Sequence, residues 1–103
     1  MLKESKKHEL QDLIEKIEQV DKLIKIHAKN PSKFMVEQYE AKKEKLLGYL
    51  IDELVDAKVR SPYSFRLIYM ALLKFYPKEM KAGSKKTATL SKELKSLEAV
   101  LAA

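Results

Sequence analysis

Leu10, Leu13, Ile17, Val20, Ile24 and His27 recur at spacings of 3, 4, 3, 4 and 3. That alternation holds one stripe on one face of a helix, and Ile14 widens it. The positions between are mostly Glu, Lys, Gln and Asp. The pattern predicts a first helix over about residues 2–28. "KNPSKF" follows. Asn30 can cap the next helix, and Pro31 can open it, because the first helical N–H needs no partner within the helix.

A second helix is predicted from Pro31 to about Lys58, on a seam of Val36, Tyr39, Lys43, Leu46 or Leu47, Leu50 and Leu54. A short turn between two long helices implies an antiparallel hairpin, with arms of about 40 Å at ~1.5 Å per residue. Folding about Asn30 sets Ile24 near Val36, Ile17 near Lys43, Leu13 near Leu47 and Leu10 near Leu50. Lys43 falls on the seam. Its stem is expected to cover Ile17 while the amine reaches water. Gly48 costs helix stability and suggests a close backbone approach.

The third segment, "SPYSFRLIYMALLKFYP", is apolar nearly all round. Ser61 is expected to cap it, Pro62 to open it, and Pro77 to end or kink it. Phe65, Ile68, Tyr69, Leu72, Leu73, Phe75 and Tyr76 share one broad arc, while Arg66, Met70 and Lys74 form a stripe on the other side. Such a helix is expected at the centre of a bundle. It would fill the wide apolar face of Leu46, Leu47, Leu50, Ile51, Leu54 and Val55, and meet Leu10 and Leu13. "KEMKAGSKKTAT" reads as a loop with room for a helical turn. A last short helix follows on Leu90, Leu94, Leu97 and Leu101. The expected fold is all-α: a long antiparallel helical hairpin with two shorter helices packed at its open end. It forms one domain over residues 1–103, with the hairpin in 1–58 and a basic helical part in 59–103.

Composition agrees with this reading. Two glycines and three prolines in 103 residues leave room for few turns, so the elements must be long. The net charge of +6 is uneven. Residues 1–57 hold 11 Lys/Arg and 12 Asp/Glu, whereas residues 58–103 hold 10 Lys/Arg and 3 Asp/Glu. There is no cysteine, which excludes disulfides and Cys-ligated zinc or iron–sulfur sites. The N-terminal stretch lacks the apolar core of a signal peptide, and no apolar run is long enough to cross a bilayer. A soluble cytoplasmic protein with no membrane partner is expected.

The candidate chemistry is sparse. His27 ends the first seam at the hairpin tip and reads as a packing or capping residue. His8 and Asp12 pair in the hairpin with Asp52 and Asp56, but all four fall on outward positions, so no metal site is assigned. There is no Gly-rich phosphate loop and no catalytic triad pattern. The expectation is a protein that is not an enzyme and has no cofactor. Lys81, Lys85, Lys86, Lys92 and Lys95 are candidates for phosphate contacts in a nucleic-acid-binding alternative. The aromatics of the third helix read there as core, not as a base-stacking platform. The tip is more promising. Leu23 and Ile26 lie off the main seam, Phe34 and Met35 begin the second helix, and Lys25, His27, Lys29 and Lys33 surround them. Apolar groups rimmed by charge mark a contact site. The expected function is therefore a small interaction or adaptor protein. It is expected to self-associate as a homo-oligomer through Leu23, Ile26, Phe34 and Met35.

Overall fold

In the computed structural model, residues 3–29, 33–80 and 92–102 are described. They form α1 (Glu4–His27), α2 (Lys33–Val55), α3 (Pro62–Phe75), α4 (Pro77–Met80) and α5 (Lys92–Ala102). The described residues are 88% helical, with no strand among them. The chain is all-α, as its periodicity predicts.

α1 and α2 pack closely as a hairpin. Leu10, Ile17 and Val20 of α1 are buried, and so are Leu47, Leu50 and Leu54 of α2. Ile17 and Leu50 are the most enclosed, at 0% and 2% exposed. Each such burial contributes ~1.5–3 kcal/mol, which no surface pair in the hairpin can match. Ile14, which widens the stripe in sequence, is 37% exposed. The buried stripe between these two helices is thus narrower than the apolar pattern.

Three cross-hairpin pairs mark the register. Lys6 pairs with Glu53 toward the open end. Asp21 pairs with Lys43 in the tip-side half. At the tip the rings of His27 and Tyr39 lie 5.4 Å apart, tilted by 36°. His27 is therefore a packing residue. Lys43 does not send its amine to water. Its Nζ lies 2.8 Å from Asp21 Oδ1, with the Lys43 side chain 7% exposed. The carboxylate sits one residue past Val20, close enough to capture the amine inside the groove. Gly48 also departs from expectation. A Cβ placed there would meet no heavy atom within 4 Å, so no backbone approaches it.

Asp56 organises the exit from α2. Its carbonyl accepts from the Val59 and Arg60 N–H groups at 2.9 and 2.7 Å, and its Oδ1 accepts from the Lys58 N–H at 3.0 Å. The start of α3 is capped, but not by the Ser61 side chain. The Ser61 N–H donates to Ser64 Oγ at 3.1 Å, and the Ser64 N–H donates to the Ser61 carbonyl at 2.9 Å. This is the returning half of a capping box, with serine in the place usually held by Glu or Gln. Ser64 is 4% exposed, and its hydroxyl also donates to the Val59 carbonyl at 3.5 Å.

The apolar arc of α3 is not the fully buried face its composition predicts. Phe75 is buried, and Ile68, Ala71 and Leu72 are half-buried. Tyr63, Phe65, Leu67, Tyr69, Met70 and Leu73 are all exposed. Ser64, near the start of α3, is buried as well. α3 ends at Phe75, and Pro77 opens α4 where a single helical turn was foreseen at most. In α5, Leu94, Leu97, Val100 and Leu101 are exposed. The chain divides into two compact units, Met1–Tyr69 and Met70–Ala103. No helix among the described residues is long and apolar enough to cross a membrane.

Candidate interaction surfaces

The tip is built from the last turn of α1 and the first turn of α2. Lys25 and His27 lie in the last turn of α1, where the Lys25 ammonium offsets the partial negative charge of the exposed carbonyls. Ile26 is 68% exposed and Phe34 is 64% exposed. Met35 is also exposed, while Leu23 is half-buried. Lys25, Lys29 and Lys33 stand exposed around them. The hairpin thus gathers three exposed apolar side chains at one end, with cations between them. Asn30 and Pro31, the predicted cap and opening residue of α2, lie outside the described residues.

At the other end the arms enclose a shallow groove lined by Glu9, Asp12, Leu13, Lys16, Tyr49, Asp52 and Glu53. Its carboxylates outnumber its single cation, and its apolar patch is Leu13 with the exposed Tyr49. His8 lies on the outer face of α1. Its Nε2 is 3.8 Å from Glu4 Oε2, and the ring is 74% exposed. No group of three or more His, Asp or Glu side chains placed to hold a metal ion occurs among the described residues. Asp56, offered by sequence pairing as a neighbour of His8, serves the turn after α2 instead.

Of the basic candidates, Lys81, Lys85 and Lys86 lie outside the described residues, and Lys92 and Lys95 belong to α5. The residues that sequence reasoning missed are Tyr63, Phe65 and Tyr69. Phe65 and Tyr69 are expected in a core because they share an arc with Ile68 and Leu72, whereas Tyr63 lies outside that arc. The structure leaves them 61%, 55% and 54% exposed. The available signal was the absence of acid nearby: no Asp or Glu occurs between Asp56 and Glu79.

No protein-family model matches the chain, and neither the curated proteins nor the solved structures give a match. The functional reading therefore rests on these surfaces alone.

Proposed function

We propose that this chain is a small, non-catalytic interaction protein that self-associates through the tip of its helical hairpin. The observation that carries the reading is the exposure of Ile26 and Phe34, at 68% and 64%, on adjoining turns of α1 and α2. Two large apolar side chains at one end of a hairpin gain by being covered, at ~1.5–3 kcal/mol each. A second copy offers the same surface, so a two-fold arrangement sets apolar against apolar with the lysines at the rim. Leu23 and Met35 belong to the same surface, Leu23 as its partly covered base.

Solution mass measured by light scattering tests the reading. Wild type is expected above the monomer mass at micromolar concentration. The variant Ile26→Glu with Phe34→Glu is expected at the monomer mass, with its helicity retained. Both replaced residues are exposed, so the change spares the hairpin core. A wild type that stays monomeric up to millimolar concentration, or a variant that associates as wild type does, overturns the proposal.

A further inference from the structure

We infer that the first two turns of α3 form a stacking surface for single-stranded nucleic acid. At about 100° per residue, Phe65 and Tyr69 form one row along the helix with Arg66 beside it, while Tyr63 and Leu67 lie on the far flank of Arg66, roughly 160° around the helix from that row. Phe65 and Tyr69 are one turn apart, about 6 Å along the axis. All five side chains are exposed, Leu67 least among the apolar four at 38%. A cation beside a row of two exposed aromatic rings suits an anionic strand whose bases can leave one another and stack on the rings.

The charge of the segment selects this occupant. From Lys58 to Lys78 there are five cations, Lys58, Arg60, Arg66, Lys74 and Lys78, and no acid. A symmetric pairing of α3 with a second copy would bring Arg66 against further cations with nothing to neutralise them. An acidic amphipathic helix would answer Arg66 but asks for an aliphatic seat, and only Leu67 among the exposed residues of these turns is aliphatic. An anionic bilayer is held by clusters of four to eight cations, and α3 itself carries two, Arg66 and Lys74. Tyr63 and Tyr69 present a π face while their hydroxyls stay in water, so exposure costs them less than it costs leucine. A polyanion with flat π faces matches every one of these features.

The test uses the full chain and fluorescein-labelled 20-residue strands of deoxythymidine and of uridine, read by anisotropy at low salt. Both single strands are expected to bind, and a duplex of the same length is expected to bind less tightly. Phe65→Ala and Tyr69→Ala should each weaken binding by about 5- to 150-fold, the loss of one stacked base. Arg66→Gln should reduce the slope of log affinity against log salt by about 0.7, one phosphate contact. Far-UV circular dichroism checks that each variant stays folded. Phe65→Leu, which keeps apolar contact and removes the stacking face, should reproduce the loss if Phe65→Ala lowers helicity. Absence of binding, affinities unmoved by Phe65→Ala and Tyr69→Ala, duplex binding as tight as single-strand binding, or binding confined to phosphatidylserine vesicles would each overturn the inference.

Discussion

Lys43 Nζ lies 2.8 Å from Asp21 Oδ1 across the hairpin, with the two side chains 7% and 18% exposed. A charge this enclosed must be answered, because removing one partner strands the other away from water. Asp21 has a second, weaker neighbour in Lys25, whose Nζ is 3.6 Å from Oδ2. Lys43→Ala should therefore cost about 2–3 kcal/mol, just short of the usual loss for a broken buried pair. The double change Lys43→Met with Asp21→Leu should be nearly neutral, since it removes both desolvated charges and keeps volume. Urea denaturation of the two variants checks this. A loss below about 0.5 kcal/mol for Lys43→Ala would place the pair with ordinary surface ion pairs.

Gly48→Ala should stabilise the protein by about 1 kcal/mol. The site lies inside α2, and the added methyl would meet nothing within 4 Å. The gain comes from a stiffer unfolded chain and a better helix former. An increased urea midpoint with an unchanged slope is the expected reading. A lowered midpoint would show that some group approaches Gly48 in solution.

Leu50→Ala should cost about 2–5 kcal/mol, the loss typical of a side chain with no route to collapse. Leu50 is 2% exposed. Leu72, in the middle of the apolar arc of α3, is only half-buried, and Leu72→Ala should cost less than half as much. Equal losses from the two would show that Leu72 is as enclosed in solution as Leu50.

Ser64→Ala should cost about 1 kcal/mol and loosen the first turn of α3, because it leaves the Ser61 N–H without its acceptor. Ser61→Ala should change stability by less than about 0.5 kcal/mol, since the Ser61 backbone, not its hydroxyl, makes the cap. Amide hydrogen exchange at Ser61 and Ser64 separates the two. Equal loss of protection in both variants would contradict this assignment.

The hairpin is legible in the sequence because a helix held by one neighbour displays that neighbour as a stripe. Leu10, Ile17 and Val20 of α1 and Leu47, Leu50 and Leu54 of α2 are buried, as their spacing predicts. Lys43 was legible as a seam residue, but its partner was not. Asp21 lies on the edge of the stripe, and periodicity does not say which edge residues turn inward. α3 was the harder case. Its arc of Phe65, Ile68, Tyr69 and Leu72 states how much apolar surface exists, not how much a neighbour covers. At the tip, the apolar content of Ile26 and Phe34 is plain in the sequence, whereas their exposure depends on what else reaches them in three dimensions.

The three cross-hairpin pairs also set an order of events in time. His27 and Tyr39 are nearest along the chain, Asp21 and Lys43 come next, and Lys6 and Glu53 are farthest apart. Closing a loop costs more entropy the longer it is, although only slowly. A hairpin with contacts graded in this way zips from the tip toward the open end, through steps that each extend a structure already in place. Helical proteins dominated by local contacts fold in about microseconds to milliseconds, and the same range is expected here. Weakening the tip contact slows folding, and weakening Lys6–Glu53 speeds unfolding. The end of the hairpin that leaves Ile26 and Phe34 exposed is then expected to be the end that forms first.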